Sequence, residues 1–97
     1  MLVNQYQKSK KHSIGQHWDD RSQGSVVVGL SLLGDATMTL VHVKSKEKDK
    51  PTRRMLLSRR SLYVMSGKSR YDWEHGIENK DLVDEHRISV TFRTVSN

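Results

Sequence analysis

Hydrophobic residues fall in short runs along the chain, and small or polar residues separate one run from the next. The clearest run is SVVVGLSLL, residues 25–33, which is apolar on both faces and rich in β-branched residues. It predicts a buried strand. Gly34 and Asp35 then give a tight-turn signal, and residues 36–43 predict a second strand that pairs back on the first as a hairpin.

Further short strands are predicted along the rest of the chain, with no convincing helix. Their ranges are 2–6, 14–18, 55–57, 62–65, 73–77 and 87–95. About eight short strands separated by turns favour a sandwich or a barrel. No linker or low-complexity tract divides the sequence, so residues 1–97 are expected to form one domain.

Composition excludes several classes of site and of protein. The chain has no cysteine, which rules out disulfides, a catalytic thiolate and thiolate metal ligands. No apolar run approaches the roughly 20 residues of a membrane span, and the N-terminus does not resemble a signal peptide. We therefore expect an intracellular protein, cytoplasmic or nuclear, that does not contact a membrane.

Charge favours a polyanionic partner. The chain has 17 basic and 11 acidic residues, a formal net charge of +6, which fits a partner such as nucleic acid. Residues 44–54, KSKEKDKPTRR, are predicted to be a charged connection between strands. This segment is either a solvated loop or a basic lip for a polyanion.

The triplet His17-Trp18-Asp19 is the first candidate for chemistry. On a strand, residues two positions apart project to the same face, so the imidazole and the carboxylate would point at one spot. His75, in the predicted strand 73–77, would supply a third ligand. Two histidines and one carboxylate suit Fe(II) with open positions for oxygen chemistry. Taken alone, an H-x-D match occurs often by chance, and a surface His-Asp pair is the favoured interpretation of the triplet.

The last predicted strand, RISVTFR, has a polar face and an apolar face. Arg87 and Arg93 lie on the polar face, together with Ser89 and Thr91. Two guanidinium groups on one face can each bind a carboxylate bidentately and so hold the two ends of a small dianion. The alternative is an amphipathic strand with its polar side in water.

A pair of polar residues near the N-terminus completes the candidate set. Asn4 and Tyr6 are two positions apart, so an amide and a phenol would share one face and could bind a carboxylate. In order, NQY, HWD, GKSRYDWEHGI and RISVTFR resemble the catalytic core of the AlkB-type Fe(II)/2-oxoglutarate dioxygenases. The resemblance extends from Asn4 to about residue 95. The segment RRSLYVMSGKSRYDWEHGI is especially similar to eukaryotic AlkB homologues.

The resemblance implies a fold, a ligand set and a reaction. The family fold is a mainly β double-stranded β-helix, or jelly roll, of eight core strands. By motif, His17, Asp19 and His75 would bind Fe(II), and Asn4 and Arg93 would contact the near carboxylate of 2-oxoglutarate. Tyr6 and Arg87 would hold its distal carboxylate. Oxidative decarboxylation of 2-oxoglutarate to succinate would drive hydroxylation of a C–H bond, and an N-methyl group would leave as formaldehyde.

The resemblance also suggests substrate contacts and a departure from the family. Asp20 follows the H-x-D triplet and is a candidate substrate contact or a solvated loop carboxylate. Arg70 is a candidate to order the site, to meet the substrate, or to lie at the surface as a free cation. AlkB-type enzymes usually carry an N-terminal substrate-recognition segment, and we expect these 97 residues to be the core without it.

Three hypotheses for function follow. The first is an oxygenase that hydroxylates or oxidatively demethylates a base of nucleic acid, either tRNA or DNA. The second has the same chemistry but acts on a methyl-lysine of a protein. The third is a non-catalytic basic β-module that binds nucleic acid through Lys8, Lys10, Lys11 and residues 44–54, with strongly salt-dependent affinity.

Overall fold

The computed structural model describes residues 1–19 and 24–93. These ranges contain eight β-strands and one five-residue α-helix. The strands are β1 (Leu2–Gln7), β2 (Ile14–His17), β3 (Val27–Leu33), β4 (Ala36–Val41), β5 (Thr52–Leu57), β6 (Leu62–Met65), β7 (Glu74–Ile77) and β8 (His86–Arg93). The helix, α1 (Gly67–Tyr71), connects β6 to β7, and short 3-10 helices occupy Lys8–Lys10 and Asn79–Asp81.

The strands form two four-stranded antiparallel sheets. The first sheet has the order β1-β8-β3-β6, and the second has the order β2-β7-β4-β5. Strands that follow one another in the sequence mostly lie in different sheets, as in a jelly roll. The mainly β class and the predicted number of strands are confirmed.

The predicted hairpin between residues 25–33 and 36–43 is wrong. β3 pairs with β6 and β8, whereas β4 pairs with β5 and β7, so Gly34 and Asp35 connect the two sheets. The sharp turn itself is present: Gly34 has φ +79°, and a Cβ there would lie 2.2 Å from the carbonyl oxygen of His86. A local turn signal specifies a change of direction but not the strand that is paired afterwards.

Two smaller expectations also need correction. The chain was expected to have no helix, but Gly67–Tyr71 forms one α-helical turn. The Ser66 side chain accepts from the backbone of Ser69, and the Ser69 hydroxyl accepts from the Ser66 N–H, which is a capping box. In addition, the predicted loop 44–54 is shorter, because β5 already begins at Thr52.

The core lies between the two sheets, and its main apolar cluster lies toward the end of the sandwich that contains Gly34. The buried members of this cluster are Tyr6, Ala36, Met38, Leu57, Ile77 and Leu82. Val27, Met65 and Val90 are also buried. The inner face of β8 is polar instead, with Arg87, Ser89 and Thr91 all buried. Apolar side chains of the first sheet, such as Leu62 and Val64, point outward and are exposed.

Strand directions divide the sandwich into two ends. Even-numbered strands finish and odd-numbered strands begin at the same end, which we call the upper end. The pairings show this: the starts of β1 and β3 lie beside the end of β8 (Leu2 with Thr91, Val27 with Arg93), and the end of β4 lies beside the start of β7 (Val41 with Glu74). Helix α1 and the connection between β4 and β5 lie at this end. The lower end holds Gly34 and both 3-10 helices. Within the described ranges, no helix has the length and apolar character needed to cross a membrane.

Candidate active site

Three side chains meet at the upper end of the second sheet. His17 ends β2 and pairs with His75 of β7, so adjacent strands bring the two imidazoles side by side, with ring centroids 4.4 Å apart. Asp19 lies two residues beyond His17, with one carboxylate oxygen 3.5 Å from His17 Nε2 and the other 3.9 Å from His75 Nε2. One ligand atom from each residue lies within 4.8 Å of the others.

This geometry fits a six-coordinate metal. Neighbouring ligands of an octahedral ion held at about 2.1 Å are about 3 Å apart, so ligand atoms that lie within 4.8 Å of one another need to approach by up to about 2 Å. His17 Nδ1 lies 2.7 Å from the carbonyl oxygen of Gly15 and must donate to it, which leaves Nε2 free for a metal. Two imidazoles and one carboxylate form the facial donor set of non-haem Fe(II).

The charges at this point also fit a cation. The hydrogen bond with His17 holds the pKa of Asp19 down at about 2, and the same interaction raises the pKa of His17. Burial, followed by repulsion from His17, lowers the pKa of His75 to about 4. At neutral pH Asp19 is therefore an anion and His75 is a neutral imidazole, which are the forms that bind metals.

Arg70 holds the backbone that carries Asp19. Arg70 is 3% exposed, and its guanidinium donates to the carbonyl oxygen of Asp19 at 2.7 Å and twice to that of Gly24, at 3.1 and 3.2 Å. Helix α1 aims this side chain at the segment after β2. The contacts favour the site-ordering interpretation of Arg70 over contact with substrate.

The inner face of β8 supplies a buried guanidinium. Arg87 is 2% exposed and donates to the carbonyl oxygen of Gly34 at 3.0 Å and to Ser31 Oγ at 3.1 Å. Its Nε has no hydrogen-bond partner among the described residues, nor is any described carboxylate within ion-pair distance. A buried cation without an anion is costly, so this position suits an anionic ligand.

The other predicted cosubstrate residues face the same space. Arg93 lies at the upper end of β8, 3.5 Å from the Asp19 carboxylate, and its buried Nε also has no partner within the described ranges. Asn4 donates to Thr91 Oγ1 at 3.3 Å, and Tyr6 is buried beside Arg87. The predicted polar face of β8 therefore points inward, not into water.

Tyr63 is a site residue that the sequence interpretation missed. It lies on β6 with its ring against Gly29, where a Cβ would come within 2.0 Å of the ring. Burial raises the pKa values of Tyr63 and Tyr6, so both phenols are protonated at neutral pH and can donate hydrogen bonds. The sequence signal for Tyr63 was a glycine on the neighbouring strand, Gly29, which leaves room for the ring. That signal can be recognised only after β3 is known to pair with β6.

All of these groups line one cavity of about 200 Å³ between the sheets. This is smaller than the roughly 300–1,000 Å³ of sites for drug-sized ligands, so it suits a small cosubstrate. Its polar lining is formed by Asn4, Tyr6, His17, Asp19, Tyr63, His75, Arg87, Ser89, Thr91 and Arg93. The arrangement combines a cation site at the upper end with cationic side chains along the wall, as a chelating dianion requires.

One candidate lies outside the described part of the chain, and the two tryptophans are not among the residues that line this cavity. Asp20 lies outside the described residues. Trp18 is 46% exposed at the upper end and is therefore not part of the core. Trp73 is half-buried and stacks on His42, with ring centroids 4.7 Å apart and the planes 11° from parallel.

Comparisons with known proteins point the same way. A family model described as the 2OG-Fe(II) oxygenase superfamily matches residues 1–93. The chain is 39% identical over 67 residues, 67% of its length, to the alpha-ketoglutarate-dependent dioxygenase alkB homolog 7, mitochondrial, of Mus musculus. That match covers 29% of the relative.

Two further relatives are named for nucleic acids. The tRNA (carboxymethyluridine(34)-5-O)-methyltransferase of Mus musculus is 37% identical over 78 residues, 79% of this chain and 11% of that protein. The DNA N6-methyl adenine demethylase of Caenorhabditis elegans is 30% identical over 90 residues, 92% of this chain and 29% of that protein. The chain thus spans less than a third of the length of each of these three relatives.

Proposed function

Because this chain belongs to the 2OG-Fe(II) oxygenase superfamily and has a core of the AlkB type, we propose that it hydroxylates or oxidatively demethylates a base of nucleic acid. One observation carries the proposal: a His-Asp-His cluster and a buried, unpaired arginine line the same cavity. A cation site alone, or an arginine alone, would not distinguish this chemistry from a structural role.

His17, Asp19 and His75 are the proposed ligands of Fe(II). The bound metal, with 2-oxoglutarate and O2, supplies the oxidising power that converts 2-oxoglutarate to succinate and CO2 and inserts one oxygen atom into a C–H bond of the substrate. An N-methyl group oxidised in this way leaves as formaldehyde. The protein contributes one negative charge to the metal, so the site keeps a net positive charge for a dianionic cosubstrate.

The chain's own residues orient that cosubstrate. Arg87 is proposed to bind the distal carboxylate through its free Nε, with Tyr6 and Tyr63 donating from their phenols. Arg93 and Asn4 are proposed to contact the carboxylate nearer to the metal. Because Arg87 is held by Gly34 and Ser31, its position is fixed before the ligand arrives, which lowers the entropic cost of binding.

Nucleic acid, as tRNA or DNA, is the substrate class we favour. The net charge of +6 suits a polyanion, and two relatives are named for tRNA and for DNA. The cavity of about 200 Å³ has room for a small cosubstrate, so the larger substrate must approach from the upper end, where the metal ligands lie.

The test measures succinate formed from 2-oxoglutarate by Fe(II)-loaded protein, alone and with methylated substrates. The substrates are single-stranded RNA, single-stranded DNA and a methyl-lysine peptide. We expect turnover that requires Fe(II), and stimulation by a nucleic acid with release of formaldehyde. If only the methyl-lysine peptide stimulated turnover, nucleic acid would be the wrong substrate class. If folded, metal-loaded protein formed no succinate at all, the proposed activity would be wrong.

A further inference from the structure

We propose that residues 44–54, here called the basic segment, bind the phosphate backbone of a single-stranded nucleic acid while one of its bases faces the cavity. This inference rests on the proposed function. The basic segment contains six basic and two acidic residues, a net charge of +4 against +6 for the whole chain. Residues 44–51 of the connection carry a net charge of +2, and Arg53 and Arg54 at the start of β5 supply the rest.

The fold places this segment beside the proposed metal site. It runs from the connection after β4 into the start of β5 at the upper end, and Lys44 and the nearby His42 contact the chain that leads into β7. His42 stacks on Trp73, and Lys44 Nζ lies 3.7 Å from the Asp72 carboxylate. Trp73 precedes His75 by two positions, which is about 7 Å along an extended chain. A single-stranded nucleic acid bound to the basic segment is therefore within a few nucleotides of the proposed metal site.

Several cations of the segment are available to a ligand. Lys44 is paired with Asp72, and Arg54 is paired with Asp81 at 2.6 Å. Lys46, Lys48 and Arg53 are exposed and, within residues 1–19 and 24–93, form no ion pair. When such side chains neutralise phosphates, the counterions that surround the nucleic acid are released, and this release is a main source of affinity for a single strand.

The second basic cluster of the sequence lies at the wrong end. Lys8, Lys10 and Lys11 follow β1 at the lower end of the sandwich, because Gln7 pairs with His86 at the start of β8. Lys8 Nζ already donates to the carbonyl oxygens of Leu82 and Asn79. A strand bound at this cluster could not present a base to His17 and His75.

A single strand is favoured over a duplex for a geometric reason. The metal ligands lie between two sheets and not on an outer surface, so a base must leave its stack to reach them, and an unpaired base leaves most easily. Contacts to phosphate carry no sequence information. The basic segment is therefore expected to set affinity and position, and the cavity mouth to select the base.

Two double variants of equal charge test the position of the phosphate contacts. Lys46→Glu with Lys48→Glu changes the upper end, and Lys10→Glu with Lys11→Glu makes the same change at the lower end. Binding of a labelled single strand of about 16 nucleotides is followed by fluorescence anisotropy from about 50 to 200 mM salt. Two further quantities are measured on the same samples: the melting temperature, and the conversion of 2-oxoglutarate to succinate without nucleic acid, called uncoupled turnover.

We expect the upper-end variant to bind about 10-fold more weakly and to lose about 1.4 from the slope of log K against log salt, since each contact to a single strand contributes about 0.7. The lower-end variant should bind almost like the parent. Equal losses in both variants, unchanged binding in the upper-end variant, or no binding by the parent would overturn the inference. Uncoupled turnover separates this result from failure of the proposed activity, because it needs no nucleic acid.

Discussion

Most of the polar groups described at the lower end of the sandwich satisfy one another, whereas two guanidinium groups that line the cavity each keep a buried nitrogen without a partner. At the lower end, the Asn79 side chain donates to the carbonyl oxygens of Lys8 and His12 at 3.0 Å each, and Glu85 accepts from the Ser9 backbone. In the cavity, Arg87 Nε and Arg93 Nε have no described partner. Asp81 Oδ2 at the lower end also has no described hydrogen-bond partner, but the other oxygen of that carboxylate is paired with Arg54. Since buried polar groups are normally paired, two unpaired guanidinium nitrogens on one cavity wall indicate where an anionic ligand belongs.

The largest effect is expected for removal of the carboxylate at the metal site. Asp19→Ala removes the only acidic member of the cluster, and loss of a residue that merely supports a metal ligand already costs about 10–100-fold. We expect metal affinity and turnover to fall by more than about 100-fold. Isothermal titration with Mn(II) measures the affinity, and Asp49→Ala, in the exposed basic segment, is the control. Equal Mn(II) affinity in both variants would contradict the assignment.

Arg87→Met sharpens the comparison by separating ligand binding from stability. The substitution removes a buried charge that lacks an anion, but it leaves the Gly34 carbonyl and Ser31 Oγ without their donor, so the free energy of unfolding should fall by about 1–3 kcal/mol. Cosubstrate affinity should fall by roughly 100-fold, because a buried charge-assisted contact is worth about 2–5 kcal/mol.

Thermal melting with and without 2-oxoglutarate measures both quantities for Arg87. At about 100 times its Kd the ligand adds about 2.7 kcal/mol, which raises the Tm of a domain this size by roughly 10–20 °C. The parent should show this rise, and Arg87→Met should not. A folded variant with a lowered Tm that still gains the full rise on addition of 2-oxoglutarate would show that Arg87 is structural.

A smaller effect is expected for the phenol that sequence interpretation missed. Tyr63→Phe keeps the ring against Gly29 but removes the donor, so cosubstrate affinity should fall about 10-fold, the equivalent of one hydrogen bond. Gly29→Ala is the companion variant, because its Cβ would displace the same ring. Competition against a fluorescent 2-oxoglutarate analogue measures both, and unchanged affinity in both would remove Tyr63 from the site.

The smallest effect on function is expected at the lower end. Asn79→Ala removes two hydrogen bonds, so the free energy of unfolding should fall by about 1–2 kcal/mol, measured by urea denaturation. Affinities for metal and cosubstrate should not change in the folded protein. A loss of affinity as large as that of Tyr63→Phe would mean that the two regions are not independent.

Local alternation in the sequence predicted which residues share a face but not which strands are neighbours. The polar face of β8 was identified correctly, and His17 and Asp19 were placed on one side, because both depend only on a two-residue period. The pairing of β3 was not, because Gly34 connects two sheets as readily as it closes a hairpin. Resemblance to a family, rather than periodicity, brought His75 to the same cluster.

The contacts that sequence could not provide are those between residues far apart in the chain. Arg70 reaches the backbone of Asp19 and Gly24 across about 50 residues, and no local pattern indicates those partners. The position of the Tyr63 ring depends on Gly29 of β3, and two strands of the other sheet, β4 and β5, separate β3 from β6 in the sequence. Long-range packing decides both positions, so single residues of ordinary type become part of the site.

The most direct test of the central claim is visible absorption of the protein titrated anaerobically with Fe(II) and 2-oxoglutarate. A metal-to-ligand charge-transfer band requires the metal and the cosubstrate to be bound together. We predict a band that appears only when both are present and is lost in Asp19→Ala and weakened in Arg93→Ala. Absence of the band in folded protein with both ligands added would contradict the assignment of this cavity as an iron and 2-oxoglutarate site.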